Sequence, residues 1–326
     1  MNFTASSDGV LFHFTSAGKV TLGPRLAEIA TGSRWAEDPN DDFPTDQRWS
    51  DAFEAMLCWL LNRFPVQYKS RLLSRMRDKR RTRDEAFAEI IAAYYIETVC
   101  SYRLKDWEPK LAQNSFDFSI LILDTTGPVE VFVEVKAPSW TGERVAEIKE
   151  RIQRIQAAGQ PSSAELRASL EQERNALNGI NSERKYSGEL KAKSSDPRED
   201  ISRTLNKTCY GSDGATHRLP IDHPTLLVVV DDLELGMHEP GGDFMVKRAL
   251  YATPSRPVYP RGLFFEERFN RLAALATMTK DYWPHEEDAP GRFFSLFPNF
   301  RALPRCRLPK GAFSGFLADL RPFSPN

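Results

Sequence analysis

The chain has 326 residues, 41% hydrophobic and 27% charged, a composition that can bury a core and excludes a disordered or fibrous protein. Its 44 Lys and Arg almost balance its 45 Asp and Glu, for a formal net charge of −1, so any nucleic-acid surface must be a local patch. The cysteines Cys58, Cys100, Cys209 and Cys306 lack metal-ligand or disulfide-framework spacing, and no signal sequence or long apolar run is present, so a cytoplasmic protein without a membrane segment is expected.

Residues 1–46 are polar and broken by Gly and Pro, with a short strand expected at Val10–Phe14. From Asp46, Trp49, Phe53, Met56, Leu57, Leu60 and Leu61 recur at helical spacing until Pro65. The following run, YKSRLLSRMRDKRRTR, sets eight basic residues against the single acid Asp78. Such a run is either a solvated face or the footprint of phosphate binding, and Arg75, Lys79, Arg80 and Arg81 are its candidate contacts.

Asp84–Leu104 reads as a helix whose acids Glu85, Glu89 and Glu97 lie near one face. Three strands are expected next, at Trp107–Leu111, Phe116–Leu123 and Val129–Ala137, the last two joined by the turn DTTGP as an antiparallel hairpin. Residues 141–191 then read as an inserted helical hairpin, a surface for a second copy or a protein partner. Asp196 as N-cap and Pro197 at the first turn start another helix, and TLLVVVDD, Thr225–Asp232, reads as a buried central strand. Beyond Asp243 the chain is rich in Pro and Phe, with one helix expected near Phe264–Lys280. The implied domains are an N-terminal helical region (1–83), a core (84–232) with its insertion, and an appended C-terminal subdomain (233–326).

The strand VEVFVEVKAPS carries Glu134 and Lys136 on one face, roughly 6–7 Å apart. Alone, they are a weak surface pair. Across the hairpin, however, Asp117 sits between Phe116 and Phe118, expected on the face opposite both, and a carboxylate in such apolar surroundings needs a partner such as a cation. Asp117, then Glu134-Val135-Lys136, on adjacent strands after an acidic helix, resembles the PD-(D/E)xK nuclease superfamily. The motif's usual proline is Phe116 here. A second E-x-K, in GELKAK, lacks a preceding strand pair with an acid.

The resemblance implies an α/β fold with a restriction-endonuclease-like core, ordered helix, three strands, helix, strand in a mixed sheet. It implies Mg²⁺, with Mn²⁺ as a substitute, held by Asp117 and Glu134 with the Val135 carbonyl and the helical acid Glu89, for which Glu85 and Glu97 are alternatives. Oxygen ligands suit Mg²⁺, which neutralises phosphate charge and acidifies water. Lys136 would position the attacking water and stabilise phosphate charge, with its pKa free to fall on burial. Arg203 and Lys207, on the helix before the last strand, are further phosphate contacts by resemblance or an ordinary basic helix end.

The expected activity is metal-dependent cleavage of phosphodiesters, foremost as a DNA endonuclease, in a defence or mobile-element setting by resemblance. A homodimer or partner is expected if both strands are cut. RNA cleavage and a non-catalytic nucleic-acid or protein-binding module are the alternatives, the latter favoured if Glu134 and Lys136 merely pair. The spacing of His217, His223 and His238 excludes a zinc site, and no phosphate loop, serine elbow or dinucleotide fingerprint occurs.

Overall fold

The computed structural model describes residues 3–7, 9–15, 18–36, 43–44, 47–111, 114–125, 127–137, 197–211, 214, 216–231, 242–252, 261–279 and 294–318. The expected helical hairpin at 141–191 lies outside these residues, as does the Asp196 cap. A small antiparallel sheet opens the chain, with β1 (Thr4–Ala5), β2 (Leu11–Thr15) and β3 (Gly18–Thr21). Helix α1 (Pro24–Ala30), absent from the sequence expectation, follows with Pro in its first turn and Leu26, Ile29 and Ala30 buried. Helix α2 (Gln47–Arg63) buries Trp49, Phe53, Met56, Leu57 and Leu60 at the expected spacing and stops before Pro65, which cannot donate to the helix ladder.

The chain continues through α3 (Pro65–Gln67), a π-helical turn at Tyr68–Leu72 and α4 (Leu73–Met76). Helix α5 (Arg80–Thr98) is apolar almost all round, because it is packed on several sides: Phe87, Ile90, Ile91, Tyr95 and Ile96 are all buried. Strand β4 (Arg103–Trp107) precedes the short pair β5 (Lys110–Leu111) and β6 (Asn114–Ser115). Then β7 (Phe118–Asp124) and β8 (Gly127–Lys136) form the expected antiparallel hairpin. Gly127 closes its turn with φ +122°, a conformation side chains disfavour.

Helix α6 (Pro197–Cys209), strand β9 (Thr225–Asp231), helix α7 (Gly242–Tyr251) and strands β10 (Ala274–Thr279) and β11 (Phe294–Pro298) complete the fold. The result is an α/β protein with a mixed six-stranded sheet ordered β11-β10-β9-β8-β7-β4. Strand β9 runs parallel to both β8 and β10, and the remaining pairs are antiparallel.

The continuous apolar run of β9 reflects burial on both faces. Leu226, Val228 and Val230 enter one core with α2 and α5, while Leu227 and Val229 enter a second with Ile201 and Leu205 of α6 and Val246 and Leu250 of α7. The same alternation sends Val131, Val133 and Val135 of β8 to the first core and Phe132 to the second.

Two expectations are corrected. Ala274–Thr279 is a strand rather than part of a helix at Phe264–Lys280: its Ala, Leu and Met residues favour helix locally, but pairing with β9 and β11 and burial on both faces override that preference. The C-terminal region is not an appendage, since β10 and β11 extend the sheet and Phe294, Leu296 and Phe313 join the core that holds Leu26, Phe53 and Phe87. Among the described residues no helix is long and apolar enough to cross a membrane.

Candidate functional site

Strand β7 does not begin where the alternation of FDF suggests. The chain bends at Asp117, so Phe116 packs on Phe132 in the second core, with ring centroids 4.8 Å apart, while Phe118 enters the first. The expectation that both phenylalanines share the face opposite Asp117 is therefore corrected. The bend is a local register irregularity of the kind that re-aims side chains: the Asp117 amide donates to the Val133 carbonyl (3.1 Å) and its carbonyl accepts from the Glu108 amide (2.8 Å).

The bend leaves the next inward-facing amide of β8, that of Val135, without a backbone carbonyl opposite. The Asp117 carboxylate takes its place, accepting that N–H at 2.6 Å. This short bond ties the aspartate of one strand to the middle residue of Glu134-Val135-Lys136 on the next.

The joint lies in a cleft of about 370 Å³ between the sheet's end and helices α4, α5 and α6. Glu89 enters from α5 and is 5% exposed, its carboxylate gripped by both terminal nitrogens of Arg75 at 2.7 and 2.5 Å. Glu134 is 6% exposed and accepts from Lys136 Nζ at 2.5 Å. Glu85 lines the cleft one turn before Glu89. Glu97 is elsewhere, accepting from the Trp59 indole (3.0 Å) and the Leu104 amide (3.1 Å), which leaves Glu89 and Glu85 as the helical acids facing the cleft.

Burial, and then the nearby charges of Glu89 and Glu134, push the Asp117 carboxyl well above the usual aspartate range, against the pull of the Val135 amide and Lys136. Glu89 is likewise raised, by burial that outweighs Arg75. Lys136 departs from expectation. Burial works to lower its pKa, but Glu134 and Asp117 more than offset this, so it is raised and the side chain stays an ammonium.

Of the other predicted contacts, Lys207 reaches the cleft from α6 beside Thr204, whereas Arg203, one turn earlier, does not line it. Lys79 caps α5 as an exposed residue, and Arg80 and Arg81 form its first turn, their side chains outside the description. The basic run divides by direction. Arg77 donates to the Glu28 carbonyl at 2.7 Å, and Arg83, 3% exposed, stacks over Trp35 and Phe43. These two are structural.

Sequence reasoning missed Arg71 and Glu108, which meet at 2.5 Å on the cleft's rim. The four-residue spacing of Arg71 and Arg75 was a readable signal. Glu108 had none, because its position depends on a left-handed backbone with φ +55°.

Buried oxygen donors whose charges repel one another are the chemistry of a hard divalent cation's site. Among the described residues no group of three or more His, Cys, Asp or Glu is gathered closely enough to hold a metal. A cation would therefore take the carboxylates of Asp117 and Glu134 and complete its shell with carbonyl, water and phosphate oxygens, which is how Mg²⁺ is usually bound.

No protein-family model, curated protein or solved structure matches the chain.

Proposed function

We propose that the protein is a Mg²⁺-dependent phosphodiester hydrolase acting on DNA, built on a restriction-endonuclease-like core formed by α5, β4, β7, β8, α6 and β9. The observation that carries this reading is the 2.6 Å bond between Asp117 and the Val135 amide. It joins the aspartate to Glu134-Val135-Lys136 in a cleft that also receives Glu89, Arg75 and Lys207.

Asp117 and Glu134 hold the cation, with Glu89 behind them. Bound there, Mg²⁺ supplies neutralisation of phosphate charge and a more acidic water. Lys136, charged because two carboxylates surround it, orients the nucleophilic water and stabilises charge on the phosphate rather than removing a proton.

The Lys136–Glu134 and Arg75–Glu89 pairs favour a second reading, in which the carboxylates serve only to hold basic side chains and the cleft binds nucleic acid without cutting it. One assay separates the two. Supercoiled plasmid, linear duplex, single-stranded DNA and RNA are incubated with Mg²⁺, Mn²⁺ or EDTA and wild type, Lys136→Ala or Asp117→Asn. Metal-dependent cutting reduced roughly 10²-fold or more in both variants is expected. Binding without cutting in every protein would establish the second reading.

A further inference from the structure

Arg71 and Arg75 stand one helical turn apart, about 6 Å along the axis, and both line the cleft beside Asp117. The π-helical turn at Tyr68–Leu72 contains Arg71, and such turns recur at functional positions because they redirect side chains. Each guanidinium is held by a carboxylate from another element. Glu108 takes Arg71 from a left-handed turn, a conformation that costs energy in a non-glycine residue. Glu89 takes Arg75 through two parallel bonds.

We propose that Arg71 and Arg75 form a clamp for two successive phosphates of one polynucleotide strand, and that Glu108 and Glu89 occupy it in the free protein in place of phosphate. The inference rests on the reading of the cleft as a phosphodiester site and adds its substrate class, a polymer rather than a lone phosphate ester. Carboxylate and phosphate present the same pair of oxygens to a guanidinium fork, so one exchanges for the other without moving the arginine. The spacing of the two arginines is close to that of neighbouring phosphates on a strand. Arg71, with its side chain 56% exposed, can meet a strand entering from solvent, and Arg75, 22% exposed, meets the phosphate nearer the carboxylates. Glu108 is then an internal competitor whose removal strengthens binding.

The test measures binding in EDTA, where no cutting occurs, so it stands apart from the cleavage assay. Fluorescent 20-mer DNA duplex and RNA of the same sequence are titrated at several salt concentrations against wild type, Arg71→Ala, Glu108→Gln and Arg305→Ala, the last removing an exposed positive charge away from this cleft. Arg71→Ala is expected to lower the slope of log affinity against log salt by about 1, as for one lost phosphate contact. Glu108→Gln is expected to tighten binding roughly threefold, the scale of releasing one exposed ion pair. Arg305→Ala is expected to match wild type.

Equal weakening by Arg71→Ala and Arg305→Ala, no gain in Glu108→Gln, or no binding of either polymer by wild type would overturn the clamp. If the binding pattern holds while the cleavage assay is blank, the clamp stands and the hydrolase reading falls. If cutting occurs without the pattern, the clamp alone falls.

Discussion

Asp117 does two jobs that conflict. It completes the hydrogen bonding of β8 by accepting from Val135, and it places a carboxylate among two others, so burial and repulsion raise its pKa. Because its folded pKa lies above the unfolded one, its contribution to stability is complete below the unfolded value, near pH 4, and is lost as pH rises through the folded pKa. Asparagine keeps the acceptor for the Val135 amide and removes the charge. Asp117→Asn should therefore be more stable than wild type at neutral pH, by about 1 kcal/mol, the scale of relieving a strained functional site. The advantage should shrink as pH falls toward 4, which melting temperatures from pH 4 to 8 would show. A variant less stable than wild type at pH 8 would mean that the charge is already compensated. The sequence identified this residue through its chemistry. Its geometry was not legible, because the bend at Asp117 depends on pairing with β8 and on Phe116 finding a different core from Phe118.

At the scale of elements, helix α5 carries acids with separate tasks. Glu89 faces the cleft, whereas Glu97 anchors α5 to α2 and β4 through Trp59, Arg63 and Leu104. Truncation in Glu97→Ala strands a partly buried indole N–H and a backbone amide, each costing about 1–3 kcal/mol when unsatisfied. Chemical denaturation should show a loss of about 2–4 kcal/mol by the same reasoning, with cleavage per folded molecule unchanged. Cleavage lost from the folded protein would instead put Glu97 in the site. Sequence spacing placed all three acids of α5 near one face but could not choose among them, since the choice depends on what packs opposite each turn. Strong patterns were readable at this scale. The two-faced apolar run of β9 and the β7–β8 hairpin were expected and are present, while β10 was missed because its alanines and leucine also suit a helix.

At the scale of the whole molecule, near-neutral net charge hides a local arrangement. The cleft sets Arg71, Arg75, Lys136 and Lys207 against Glu85, Glu89, Glu108 and Asp117, so a bound divalent cation would leave it net positive and ready for a polyanion. The core that positions these groups draws on chain segments from Leu22 to Phe313. That long-range assembly is why domain boundaries set by composition did not survive as separate cores. The central claim is that this cleft binds a divalent cation through Asp117 and Glu134, and the most direct measurement is titration of Mn²⁺ followed by electron paramagnetic resonance of the free ion. Wild type should take up one Mn²⁺ per chain, and Asp117→Asn should lose that uptake while remaining folded. Equal uptake by both proteins, or none by either, would contradict the account.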